Sequence, residues 1–361
     1  MLCQFTVKNY KSIRDKLTFD MQAAAISEHG DKIYRDTDGE LFLPISAIYG
    51  SNGGGKSNVL EAIHTLDSKI LRPLCATCDK SDCDYKAKKI PVEPFAFTEE
   101  NRNKPTEFEF FFRTKVAEYR YILHIKKETV IYESLDRIKM DTGRRSALFV
   151  REGDKIELKG VFGKFKISEE MSESLPLLSY LGITYKKNEI INDVLGWFED
   201  SIDFLNFGSP YQEMRTAVVK SEQIKELVLK MIQEMDLDID DFRIEEKDEN
   251  SVEVYTMHVV EGESTELTLS EESSGTRKLF RLLPYIAKSL VYGTTLVIDE
   301  LDVKIHPLLL QHIIEMFTDM SINKNGGQLI FTSHDLSTMN NQVYRRDEIW
   351  IVAKGRGQNT K

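Results

Sequence analysis

Phe5 and Val7, followed by Tyr10, alternate with polar residues, which predicts a strand over Leu2 to Lys8 with Leu17 to Met21 as its partner. The apolar run Leu43 to Tyr49 predicts a buried strand, and Val59, Leu60, Ile63 and Leu66 recur at helical spacing just after it. Phe108 to Arg113, Glu118 to Ile125 and Val130 to Leu135 are rich in aromatic and β-branched residues, with breaks near Lys115 and Lys127. They predict an antiparallel meander. From Glu169 to Asp240 the period turns helical: Ile190, Val194, Leu195 and Phe198 share one face, and Ile224, Val228, Met231 and Ile232 another. No heptad run is sustained, so no long coiled-coil arm is expected. Ser251 to Val260 and Glu266 to Leu269 return to strand, Arg277 to Leu290 reads as a helix, and two buried strands end at Ile298 and near Thr332.

Between the strand ending at Tyr49 and its helix lies Gly50-Ser51-Asn52-Gly53-Gly54-Gly55-Lys56-Ser57, with Asn58 next. Strand, glycine-rich turn and helix in that order form the context of a P-loop. The loop's backbone N–H groups and the helix N-terminus surround a polyphosphate, and Gly53, Gly54 and Gly55 allow close approach of the main chain. Lys56 would reach the outer phosphates and Ser57 would hold Mg²⁺. A plain glycine turn explains neither the lysine nor the hydroxyl in register. Far along the chain, Thr294 to Ile298 ends in Asp299 and Glu300, two carboxylates at the edge where a parallel α/β sheet binds ligands. Asp299 would bind Mg²⁺ through water, and Glu300 would orient or deprotonate an attacking water.

Composition narrows the class. At 361 residues the chain can form one large domain or two smaller ones. No apolar run is long enough to cross a bilayer, and Met1 to Asn9 has no signal-peptide pattern, so no membrane contact and a cytoplasmic location are expected. A net charge of -11 disfavours binding nucleic acid over the whole surface, while a local basic groove stays open. Arg144, Arg145 and Arg151 flank an apolar triplet, as a phosphate-contacting patch or a solvated hairpin end. The cysteines Cys75, Cys78 and Cys83 are either a reduced loop or three ligands of a Zn²⁺ knuckle, with His64 or Cys3 as a fourth. The acidic run at 236–241 is no EF-hand, because Asp241 and Lys247 stand where glycine and glutamate are needed.

The segment Phe5 to Ile13 resembles the opening strand and turn of the RecF, SMC and OLD group of ABC-type ATPases, which implies that Lys11 and Ser12 lie near the phosphates. Glu272-Ser273-Ser274-Gly275-Thr276 resembles the ABC signature in its OLD-like form, with Ser273 at the serine and Gly275 at the second glycine. A helix N-terminus there presents a hydroxyl and free amides to an anion, which the resemblance identifies as the γ-phosphate held by the opposite subunit. It also sets Asp302 at the D-loop position and His334 at the switch histidine. His306-Pro307 recurs in the OLD-like members. The implied fold is α/β, an ABC-type P-loop ATPase core with an antiparallel β-subdomain and a helical insert. Residues 1–165 would form the N-terminal ATPase lobe, 166–248 the insert and 249–361 the C-terminal lobe. The match is thin in the middle: no Q-loop glutamine stands out, with 94–97 its nearest location, and no acidic cluster of a Toprim tail follows.

The resemblance implies an ATPase with ATP and Mg²⁺ that forms a homodimer or larger homo-oligomer around the nucleotides. Members of this shape without an enzymatic tail serve as sensor or scaffold subunits of bacterial anti-phage systems whose effector is a separate protein. The alternative is a RecF-like clamp that binds DNA in repair. A transporter subunit would have a shorter gap between P-loop and signature and a clear glutamine. GTP is disfavoured because Asn323-Lys324-Asn325 is followed by Gly326, not aspartate.

Overall fold

The computed structural model describes residues 1–75, 91–205, 221–235, 238–248 and 251–361. β1 (Leu2–Lys8) and β2 (Leu17–Asp20) form a hairpin, β3 (Tyr34–Arg35) and β4 (Leu41–Phe42) a short ribbon, and β5 (Ile45–Gly50) runs into α1 (Lys56–Cys75). The single turn α2 (Glu99–Arg102) precedes β6 (Thr106–Arg113), β7 (Glu118–Lys126), β8 (Thr129–Ile138), β9 (Arg145–Glu152) and β10 (Lys155–Leu158). Next come α3 (Leu177–Thr184), α4 (Glu189–Asp200), β11 (Ile202–Leu205), α5 (Glu222–Glu234), β12 (Asp241–Asp248), β13 (Ser251–Val260) and β14 (Glu263–Thr268). The chain continues through α6 (Ser274–Tyr292), β15 (Thr295–Ile298), α7 (Pro307–Thr318), β16 (Gln328–Thr332) and β17 (Ile349–Val352).

β11, β15, β16, β5 and β17 lie side by side in that order, every pair parallel. Their side chains divide by the two-residue period of a strand. Ile48, Val297 and Ile330 face a core shared with α1 and with the antiparallel sheet β10-β9-β8-β7-β6-β1-β2. Ile45, Ala47, Tyr49, Leu296, Ile298, Leu329 and Phe331 face a second core with α5, α6 and α7. Helix α1 is thus covered on both sides, with Val59, Leu60, Ile63, Leu66 and Ile70 fully buried or nearly so. Across the antiparallel sheet, Phe112 stacks on Trp197 of α4 at 4.4 Å, and a buried ring of this kind contributes about 2–3 kcal/mol. This arrangement aligns the carboxyl ends of β5, β15, β16 and β17 along one edge.

The α/β class, the meander and the buried faces of α4 and α5 match the sequence pattern. Arg144 and Arg145 lie exposed at the end of the β8–β9 hairpin, as a solvated hairpin end would have them. Two details differ from the pattern. Arg151, in β9 next to the edge strand β10, is buried and donates to the carbonyls of Gly153, Leu175 and Glu173 at 3.0, 2.8 and 3.2 Å. Its guanidinium serves the fold. Within the stretch read as helical, Ile202–Leu205 is a strand of the central sheet, paired with β15. Its Asp203 looks out of place in a buried strand until Lys288 of α6 is seen 2.7 Å away. A four-residue strand containing a charge carries little periodicity to read.

Candidate functional site

The first turn of the P-loop closes locally, Gly54 N–H donating to Ser51 O at 2.9 Å. Lys56 is buried and donates to Gly50 O at 2.8 Å and Ser51 O at 3.4 Å, with His334 Nδ1 3.2 Å away. Burial lowers its pKa, against the pull of Asp299, Asp302 and Glu300. A lysine has no acceptor, so in this contact Nδ1 receives the proton and Nε2 is left as the ring's donor. That Nε2 faces Glu300 Oε1 at 3.9 Å. Lys56, His334 and Glu300 therefore form one line across the ends of β5, β16 and β15.

Asp299 is oriented by Thr332, whose hydroxyl donates to Oδ1 at 2.6 Å and accepts from Glu300 N–H at 2.7 Å. One side chain of β16 thus holds both acidic residues that follow β15, Asp299 by its carboxylate and Glu300 by its backbone, a role with no motif in the sequence. Glu300 has φ 53°, in the left-handed region. Asp302 Oδ2 accepts from His334 N–H at 3.1 Å, while its buried Oδ1 has no hydrogen-bond partner. Ser57 and Asn52 are exposed at the mouth.

The opening turn meets the loop and its helix through Lys11 and Ser12. Lys11, at φ 46°, pairs with Glu61 of α1 at 2.5 Å. Ser12 is buried and receives Asn58 Nδ2 at 2.6 Å; its hydroxyl meets Thr360 Oγ1 at 2.7 Å, and Thr360 Oγ1 donates to Gly54 O at 3.1 Å. This relay fastens the loop to the segment after β17. Close packing explains two glycines: a Cβ on Gly55 (φ +103°) would lie 2.1 Å from Thr360 Oγ1 of the relay, and one on Gly50 2.2 Å from Val352 O of β17. Their bare side is filled by protein. Gly53, at φ +71°, has open space around it.

Ser273 caps α6, accepting from Thr276 N–H at 3.1 Å. Gly275 faces Lys304 O. Glu272 beside the cap receives Thr256 Oγ1 at 2.5 Å and His258 Nε2 at 2.8 Å. His306 caps α7, with Pro307 at its first position, so this pair has a structural use. Lys278, which no motif pointed to, donates to Glu300 O and Leu301 O at 3.2 and 2.9 Å, and burial pulls its pKa down to about 8. In the stretch expected to carry a Q-loop residue, Phe95 N–H donates to Asn9 Oδ1 at 3.1 Å and Lys11 N–H to Glu93 O at 2.8 Å. It braces the opening turn.

Cys78, Cys83 and the side chain of Cys75 lie outside the described residues. His64 packs its ring on Phe204 at 4.7 Å, and among the described residues no group of three or more His, Cys, Asp or Glu side chains is placed to hold a metal ion. Zn²⁺ thus has no support here. No helix among the described residues is long and apolar enough to cross a membrane.

Among solved structures, the Smc head bound to the C-winged helix domain of ScpA is 14% identical and aligns over 100% of this chain and 96% of its own, with a TM-score of 0.52. An SMC head domain from Thermotoga maritima is 15% identical over 99% and 97% of the two chains, with a TM-score of 0.47. The first likeness establishes an ABC-type P-loop ATPase fold. A comparison with curated proteins found no match. A family model described as AAA domain, putative AbiEii toxin, Type IV TA system matches residues 45–340, from the first strand of the parallel sheet past His334, and the chain belongs to that family.

Proposed function

We propose that the protein binds and hydrolyses ATP with Mg²⁺, closes into a homodimer around two nucleotides, and acts as the sensor or scaffold subunit of a bacterial anti-phage system with a separate effector. The observation that carries this reading is the line Lys56–His334–Glu300 beside Thr332-oriented Asp299, at the carboxyl edge of a parallel sheet. Lys56 would leave the Gly50 and Ser51 carbonyls for the outer phosphates. The loop's amides and Asn58 would line the remaining phosphates. Ser57 and Asp299 offer hard oxygen donors, and the unpartnered Oδ1 of Asp302 adds an acceptor for a metal-bound water. That set fits Mg²⁺, which takes one or two protein ligands beside phosphate oxygens and waters. When bound, the ion would neutralise phosphate charge. Glu300 would orient the attacking water, with His334 donating from Nε2 nearby. Ser273 and Gly275 would complete the site on the partner's nucleotide, with Asp302 at the interface. The toxin–antitoxin wording of the family description is compatible with a defence role.

The test is the solution mass of Glu300→Gln and of Lys56→Ala, with and without Mg²⁺ and ATP. The first variant is expected to bind without turnover and to double its mass; the second is expected to remain monomeric. An unchanged mass for Glu300→Gln would refute ATP-driven dimerisation. Adding duplex DNA at several salt concentrations separates the roles: steeply salt-dependent, ATP-stimulated binding would favour a DNA clamp.

A further inference from the structure

Lys278 reaches from the second turn of α6 to the turn that follows β15. Its ammonium donates to Glu300 O at 3.2 Å, to Leu301 O at 2.9 Å and to Val303 O. A lysine has three N–H donors, so these carbonyls use them all. The turn is one that needs holding, because Glu300 at φ 53° and Lys304 at φ 63° lie where non-glycine residues are disfavoured. Gly275 reaches the same turn from the first turn of the helix, and a Cβ there would lie 3.5 Å from Lys304 O. Arg277 turns the other way, donating to Ser270 O at 2.9 Å. One half-buried cation thus joins the helix start that carries Ser273 to the turn that carries Glu300 and Asp302.

In the composite-site reading, on which this inference rests, those two ends serve different nucleotides: Glu300 its own subunit's, Ser273 the partner's. We propose that Lys278 is a positioning residue that locks the start of α6 and the turn at 300–304 into one element, so that Ser273 and Asp302 meet a second copy of this chain in register when ATP closes the dimer. None of its contacts involves the P-loop at 50–58. Nucleotide binding by the single subunit is therefore independent of it, and closure is not.

The experiment uses the Glu300→Gln background, where turnover does not blur assembly, and adds Lys278→Met or Lys278→Arg. Two quantities are read: affinity of the monomer for a fluorescent ADP, and the dissociation constant of the ATP-bound dimer. The methionine variant is expected to hold ADP within about twofold of its parent while the dimer weakens at least about tenfold, and arginine, which keeps the donors, is expected to recover most of that loss. An unchanged dimer constant in the methionine variant would overturn the proposal. So would a parallel loss of ADP affinity and dimerisation in both variants, since that is how a general support of the fold behaves. Should the methionine variant fail to fold, Lys278→Gln replaces it, and a dimer constant equal to the parent's would overturn the proposal. If the parent Glu300→Gln has the same mass with and without ATP, the composite-site reading itself fails, an outcome distinct from a dimer that forms regardless of Lys278.

Discussion

Gly55 separates two explanations of a glycine-rich phosphate loop. If the residue is bare to admit phosphate, alanine there harms nucleotide binding first. If it is bare because the chain packs on it, alanine harms the fold, and relieving the packing rescues it. The geometry supports the second: a Cβ would meet Thr360 Oγ1 at 2.1 Å and both Thr360 Cγ2 and Ser12 Oγ at 2.9 Å. Gly55→Ala is expected to cost about 1–2 kcal/mol for its left-handed backbone. Overpacking adds about 1–3 kcal/mol. Thr360→Ala alone loses its hydrogen bonds to Ser12 and Gly54, about 1–2 kcal/mol. In the double variant two of the three close contacts disappear, so its cost should fall short of the sum by about 1–2 kcal/mol. Urea unfolding of the four proteins, with a common m-value, measures this coupling. Additivity within about 0.5 kcal/mol would refute the packing explanation and return Gly55 to the phosphate.

Two pH-dependent predictions come from buried ionisable groups. Burial, with Asp347 adding, raises the Glu348 carboxyl from its usual 4.5 to about 7, against the Arg345 backbone N–H and guanidinium. The folded state therefore holds a proton that the unfolded state releases. Stability relative to Glu348→Gln should fall as pH rises from 4.5 to 7, by up to about 3 kcal/mol, and a flat difference in unfolding free energy would contradict it. His258 places Nδ1 against Asp238 O at 2.7 Å and Nε2 against Glu272, two acceptors that together require the imidazolium. Burial opposes that charge, but the bonds to Glu272 and Asp238, with Asp240 nearby, raise the pKa above its usual value. The stabilisation is full below the unfolded pKa and is lost as pH rises through the folded one. His258→Gln should therefore narrow the melting-temperature gap to wild type at alkaline pH; a gap independent of pH would argue against the imidazolium.

The parts of the site legible in the sequence are those whose chemistry sits on consecutive residues. Lys56 and Ser57 follow the glycines because the loop and helix start are local, and Asp299 and Glu300 end an apolar run because a parallel sheet exposes its ligand edge there. His334 was readable for the same reason. Element boundaries followed where periodicity was long, as in β6–β8, and failed for β11, where four residues and a charge neutralised from α6 left no pattern.

What the sequence concealed is held by pairs distant along the chain. Thr332 orients Asp299 from another strand, and Thr360 closes on Gly54. Lys278 carries the same lesson furthest. On a helical wheel it is a charge near a helix start, where sequence reasoning assigns a solvated face; folded, its ammonium is spent on three backbone carbonyls. A lysine reads as surface until the carbonyls that desolvate it are known, and those belong to a strained turn whose left-handed residues, Glu300 and Lys304, carry no glycine to announce it. Motifs therefore indicate where chemistry can occur, whereas the residues that hold two motifs at a fixed separation emerge from tertiary contacts.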